Sequence, residues 1–563
     1  MNNQSHLIPI PGQGVSPAVD ESVTMDNTVE GKEAFFTKNS RENLEWLKDA
    51  GFGLFIHWSL DVQLGCVISH SLVGASDDYV DRYYKELPKT LNPGHWDFDR
   101  LAELARLAGM RYAVFTTKHH NGFCLWDTKT TDFNIRNTPY GKDLVRQYVQ
   151  AFRRQGLKVG FYFSPEDFCY LRKTGQTITR TPKQPYTPPV REGYENLLNA
   201  QMTELMTLFG TVDILFFDGG ETMYNENGES LQQLCMKKAW ELQPNVLVTR
   251  GAIPTPEQQL PGVGSEVAWE GCITLGTAWQ YQPTNETYKT GNHVIRLLME
   301  TRAKGGSLLL NIAPDSDGTL CRQHEGVLRE VALWHFINQE AVHHVRPWTL
   351  TNEDSIWLLR SKEADTVYAV LFDVAEWSRG VRKEFLIKSV KASPGTVVEV
   401  LGQSGELTEY RPDLDVHTYW EQREEGLYIS AVHAQRIYCG IQWPNPLVLK
   451  ITHAVPAYEP MSVQTYHEGL SRNGEAMVFA ARVDSMGSFE SAGLSFEYRV
   501  YPGFALSSYE SGWQSVEGIT VTSPGKYTCA VPGLSSGITY QYRAVLGNSM
   551  NRMRGEMHLF VMD

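Results

Sequence analysis

Residues 143–167 read DLVRQYVQAFRRQGLKVGFYFSPED, and their order decides the fold. Apolar residues at helical spacing (Leu144, Val145, Tyr148, Val149, Phe152) run to Gly156, and an unbroken apolar stretch follows. A helix therefore leads straight into a strand. A short apolar run that does not alternate with polar residues suits a strand covered on both faces, as in a parallel sheet with helices outside.

The same rhythm extends in both directions. Upstream lie FGLFIHW (52–58), FDRLAELARLAG (98–109) and YAVFTTKHH (112–120). Downstream come YENLLNAQMTELMTLFG (194–210), DILFFDGG (213–220), LQQLCMKKAWEL (231–242), VLVTRG (246–251), HVIRLLMETRAKGG (293–306) and SLLLNIAP (307–314). Six clear strands with intervening helices predict an α/β fold, a (β/α)8-like barrel over 33–343, with two less regular units between 255 and 290. From 344 the texture changes to short β-branched and aromatic segments such as SIWLLRS, TVYAVLF and LYISAVH, separated by turn residues. Two all-β sandwich domains are expected there, 344–445 and 446–563, the second fibronectin type III-like or carbohydrate-binding. Residues 1–32 show no apolar periodicity and are expected to form a tail.

Composition narrows the function. Of 563 residues, 51 are Lys or Arg and 65 Asp or Glu, a net charge of −14. That field repels phosphate backbones and anionic lipid, so neither nucleic acid nor membrane is an expected partner. The eight cysteines form no CxxC pair and read as buried thiols. Residues 1–30 lack the layout of a signal peptide, although a periplasmic or secreted location is the expectation.

In a barrel of this kind, reactive groups stand where strands end. Those positions hold His57 and Trp58, His119 and His120, Tyr162, Asp218 before Gly219-Gly220, and Arg250. An Asp directly after Ile214–Phe217 and before two glycines places a carboxylate at a strand tip that a ligand can approach closely. The competing reading, an Asp that caps the next turn or helix, weakens once histidines, Arg250 and Trp-rich loops converge on one rim. The histidines lack zinc-type spacing, so no metal is expected. Neutral imidazoles, which donate at one nitrogen and accept at the other, match sugar hydroxyls. Trp58, Trp126, Trp269 and Trp279 fit sugar-face stacking, though a tryptophan is more often plain core.

GLFIHW (53–58), KHHNGF with CLWDT (118–128), KVGFYFSPEDF (158–168), ILFFDGG (214–220), TPEQ (255–258), WEGCITLGTAW (269–279) and LLLNIAPDSDG (308–318) together resemble glycoside hydrolase family 29, the α-L-fucosidases. The resemblance covers about residues 35–345. It implies retaining, exo-acting release of terminal α-linked L-fucose from a fucosylated oligosaccharide or polysaccharide, without metal or cofactor. Asp218 takes the place of the family's nucleophile. For the acid/base, three glutamates stand open: Glu270, favoured because Trp269 beside it offers an apolar wall that raises a carboxyl pKa, then Glu257, then Glu266. His57, Trp58, His119, His120, Trp126, Tyr162, Arg250 and Trp279 carry over as substrate contacts. Where many members have Gly-Glu-Trp-Tyr, this chain has CVISHSLVGASDDY (66–79), and His70 is the candidate replacement. That departure keeps an exo-α-L-galactosidase as an alternative, since rejecting one added hydroxyl is worth only a few kcal/mol. A non-catalytic glycan-binding barrel is the alternative from another class. A homo-oligomer is compatible with the sequence.

Overall fold

The computed structural model describes residues 37–182, 185–225, 227–284, 286–440, 443–473, 476–503, 511–516 and 518–562. The expected tail at 1–32 lies outside them. Seven parallel strands form the first sheet: β1 (Phe52–Ile56), β2 (Tyr112–Lys118), β3 (Lys158–Phe163), β4 (Ile214–Phe217), β5 (Leu247–Val248), β6 (Glu270–Thr274) and β7 (Ser307–Ile312). They pair in the order β5-β4-β3-β2-β1-β7-β6, so β5 and β6 are its edges. Between those edges runs the irregular segment 250–258. Glu257 bridges Cys272 in parallel, the Gln258 N–H donates to Cys272 O, and the Glu270 N–H donates to Pro254 O. Pro254 and Pro256 have no N–H to give a ladder, which is why an eighth regular strand does not form there.

Helices pack outside the strands and start at side-chain caps. Ser40, Asp97, Asp143, Ser230 and Thr290 each accept a hydrogen bond from a backbone N–H in the following first turn. Strand alternation divides the apolar residues into two layers. Phe55, Val114, Tyr162, Phe216, Cys272 and Leu309 fill the inside of the curled sheet. Leu54, Ile56, Trp58, Phe115 and Phe217 face the helices.

Antiparallel sheets follow. A five-stranded one contains Val345–Glu353, Ile356–Ser361, Thr366–Leu371, Val398–Val400 and Leu447–Thr452, and a three-stranded one contains Arg382–Ile387, Tyr419–Arg423 and Gly426–Val432. Leu447–Thr452, expected beyond the boundary at 445, pairs with Thr366–Leu371, and Ala454–Pro456 pairs with Val390–Ala392. This part therefore extends through 456, because partner choice is a long-range property that local patterning does not carry. Its apolar residues belong to the same continuous core as the helix-facing side of the barrel. The last part, 461–562, encloses a core of its own around Phe479, Phe496, Tyr542 and Phe560 between two further antiparallel sheets. Among the described residues, no helix is long and apolar enough to cross a membrane. All eight cysteines are free, and four are buried. Cys439 is exposed, which corrects the expectation of uniformly buried thiols.

Candidate active site

Asp218 follows the last residue of β4, and the two glycines after it adopt left-handed backbone, with φ of 82° and 80°. A Cβ on Gly219 would collide with Glu166 Oε1, so the turn requires its glycine. Asp218 caps nothing: the next helix, Leu231–Leu242, is capped by Ser230. Its carboxylate instead receives the Tyr162 hydroxyl on Oδ2 at 2.8 Å. Arg250 Nη1 and Arg180 Nη2 stand 3.4 and 3.5 Å from Oδ1, and His120 Nε2 stands 3.6 Å from Oδ2. Burial alone would push this carboxyl up, but the two guanidinium charges outweigh it and hold the group well below the usual carboxylate range. Asp218 is therefore ionised at neutral pH.

Three imidazoles line the same rim. His57 Nδ1 lies 2.7 Å from Asn311 Oδ1, and the Asn311 amide is oriented by donating to Trp279 O at 2.8 Å. The proton on His57 therefore sits on Nδ1, leaving Nε2 as an acceptor. His119 Nδ1 meets Ser69 Oγ at 2.8 Å, and His120 Nδ1 meets Ser164 Oγ at 2.6 Å. Burial holds His57 down to about 3 and both His119 and His120 well below their ordinary value, so all three are neutral. The loop after β1 supplies one of these anchors: Ser69, at φ 60°, gives its N–H to Asp61 Oδ2 at 2.6 Å, and its hydroxyl shares a hydrogen bond with His119 Nδ1. His70, next in the loop, places its ring 5.3 Å from His120 and 6.2 Å from His119, at the rim where the sequence puts it. Trp279 packs its ring 4.8 Å from His57 and also lines the site.

Two tryptophans do not. Trp58 follows inward-facing His57, so alternation turns it outward, where its indole donates to Asp315 O and packs on Trp96. Trp126 is fully buried, and its indole donates to Glu204 Oε2 on the helix Pro188–Leu208. Both are core residues, which corrects their assignment as sugar contacts.

The three candidate glutamates separate by level in the sheet. Glu270 opens β6, opposite Ser307 at the start of β7, and takes the hydroxyl of Tyr112, the first residue of β2, at 2.5 Å. Asp218 lies just past the opposite end, with β3 running Lys158 to Phe163 between those levels. At about 3.3 Å per residue the two rims are about 16 Å apart, too far for a retaining pair at roughly 5–5.5 Å. Burial does raise the Glu270 carboxyl to about 7, as Trp269 suggested, but at the wrong end of the barrel. Glu266 is exposed, and its backbone carbonyl receives Lys48 from the helix Arg41–Ala50, which feeds the start of β1. Glu257 alone of the three reaches the rim of Asp218. Its Oε2 accepts from Arg250 Nη2 at 2.6 Å, while Nη1 of the same guanidinium faces Asp218.

Two ionisable groups at this rim escaped the reading of the sequence. Glu166 is almost wholly buried, accepts the Gly220 N–H on Oε1 at 3.0 Å, and holds Arg180 Nε on Oε2 at 2.9 Å. Burial pushes its carboxyl up to about 8. It stands two residues past Ser164 in the quoted SPED, so a wider search of strand ends would have found it. Arg180 belongs to the long connection after β3 and has no local motif. His119, His120 and Asp218 bring three donor atoms within 4.8 Å of one another, a spacing that could accept a metal ion. Arg180 and Arg250 already neutralise that carboxylate, which disfavours a cation there.

Similarity to known proteins points to one family. A sequence model of the family described as "Alpha-L-fucosidase" matches residues 21–340. An alpha-L-fucosidase of Branchiostoma floridae is 27% identical over 399 residues, 64% of this chain and 85% of its own length. The solved alpha-L-fucosidase isoenzyme 1 of Paenibacillus thiaminolyticus superposes with a TM-score of 0.58 at 28% identity, covering 73% of this chain and 98% of its own. The alpha-L-fucosidase of Vibrio sp. strain EJY3, at 18% identity and a TM-score of 0.64, covers 93% of this chain and 99% of its own, a likeness of fold.

Proposed function

This chain belongs to the alpha-L-fucosidase family of glycoside hydrolases, and we propose that it releases terminal α-linked L-fucose from fucosylated glycans by a two-step displacement that retains anomeric configuration. One observation carries the reading: a single guanidinium, Arg250, faces Asp218 with one nitrogen and Glu257 with the other. Asp218 is the nucleophile. Its ionised oxygen attacks C1 of the sugar and forms a glycosyl ester while Glu257 gives a proton to the departing oxygen. In the second step Glu257 takes a proton from water, which attacks the same carbon and releases the Asp218 carboxylate. Arg250 links the two steps. Once Asp218 is esterified it carries no charge, so the guanidinium acts on Glu257 alone and favours the carboxylate form that a general base must have. The acceptor nitrogen of His57 and the rings of His70, His119 and His120 meet the sugar hydroxyls, and Trp279 flanks the ring.

Asp218→Gly assayed on an aryl α-L-fucoside tests the assignment. Turnover should fall by at least about 10³-fold, and added azide should recover part of it as an inverted glycosyl azide. A variant that keeps its activity without azide would show that another group attacks.

A further inference from the structure

The segment that carries Glu257 does not end inside the barrel. Five residues on, at Gly262, it meets the last part of the chain, which lies beyond the residues matched by the family. The Gly262 N–H donates to Glu556 Oε2 at 2.8 Å. A Cβ on Gly262 would collide with the carbonyl of Gly555, so the two backbones touch directly. The Gly555-Glu556 pair sits between the strands Arg552–Arg554 and His558–Val561, and the Gly555 N–H is itself tied to Ala544 O. Glu556 is buried at this contact. Between Glu257 and Gly262 the chain is taut: Gln258, at φ 58°, spends both amide atoms on Thr274, and Gln259 and Leu260 are buried.

We propose that Glu556 is a positioning residue for Glu257, so that the last module is a working part of the catalytic apparatus. The inference rests on Glu257 being the acid/base. A carboxylate that must reach both the leaving oxygen and the incoming water needs its backbone fixed at both ends, and misplacement by an ångström is enough to be felt in the chemical step. Strand β6 fixes one end through Cys272, and Glu556 fixes the other through Gly262.

The test uses the full chain and two substrates, an activated aryl α-L-fucoside and a fucosyl disaccharide whose leaving group needs protonation. Glu556→Ala should lose about 10- to 100-fold in kcat on the disaccharide and much less on the aryl substrate. Glu556→Gln, which keeps an acceptor oxygen, should recover most of the loss. Gly262→Ala, whose Cβ would run into the backbone of Gly555 and Glu556 and push the surfaces apart while leaving the Glu556 side chain in place, should reproduce the split and decides the matter where Glu556→Ala does not fold. Equal losses on both substrates, or none, would overturn the proposal. Glu257→Ala is run alongside: if it shows no split, the acid/base assignment fails and this inference with it. A split there but in neither Glu556→Ala nor Gly262→Ala sinks the inference alone.

Discussion

Tyr162 gives its hydroxyl to Asp218 Oδ2 at 2.8 Å, from the strand beside the one that Asp218 terminates. A hydrogen bond from a buried phenol to a charged carboxylate is worth about 1.5–3 kcal/mol. Tyr162→Phe should therefore lower kcat/KM on an aryl α-L-fucoside by about 10- to 100-fold. It should also move the acid limb of the pH profile upward, because one of the groups that depresses the Asp218 pKa is gone. A profile that falls in height but keeps its acid limb would mean that the phenol acts on the sugar and not on the carboxylate.

Glu257 and Glu270 are separated by leaving-group dependence. Glu257→Ala should lose about 10²- to 10⁴-fold on a poor leaving group and far less on an activated one. Glu270→Gln should lose stability, through its bond with Tyr112, and show no such split. The reverse pattern would return the acid/base to the WEGC segment.

His57, His119, His120, Tyr162, Asp218 and Arg250 were legible in the sequence because a barrel strand puts the residue at its tip on one known rim, and an apolar run marks where the strand stops. Parity was harder. Whether His57 or Trp58 points inward depends on a one-residue register that an unbroken apolar run does not reveal. Glu257 and Glu270 are 13 positions apart in a stretch interrupted by Pro261, and only the pairing of 254–258 with β6 shows that one faces Asp218 and the other the opposite rim. Arg180 and the contact of Gly262 with Glu556 join segments far apart in the chain, for which local pattern holds no information.

Arg180 and Arg250 together hold Asp218 ionised, and the guanidinium of Arg180 acts on it the more strongly. The Arg180 side chain also meets Glu166, and the groups facing Asp218 from the other sides are Tyr162, His119, His120 and Arg250. With Arg180→Gln the carboxyl is less depressed, so activity should fail at a higher pH on the acid side while the alkaline side stays in place. A kcat/KM profile on an aryl α-L-fucoside checks it, and an unmoved acid limb would show that Arg250 alone suffices.

Glu166 has a pKa of about 8 in the fold against an ordinary 4.5. The native state then binds a proton more tightly than the unfolded chain, so this group's contribution to stability is full below about 4.5 and is lost as pH rises through about 8. Glu166→Gln, a neutral isostere, should flatten the fall in denaturation midpoint between pH 5 and pH 8. A variant with an unchanged slope would assign that dependence elsewhere.

One apolar interior runs from the helix-facing side of the barrel to Ala454, whereas the strands around Phe479 and Tyr542 enclose a separate one that meets it through partly buried side chains, Met553 and the Tyr458–Phe489 pair. Heat therefore finds no plane of weakness between the first two parts, which must melt together, and a natural one after Pro456. Calorimetry of the whole chain should resolve no more than two endotherms, and a protease acting on the partly warmed protein should strip off the end beyond 456 before it nicks the barrel. Over evolutionary time the same seam is where this enzyme could trade its terminal appendage for another, provided the newcomer brings its own acceptor for Gly262.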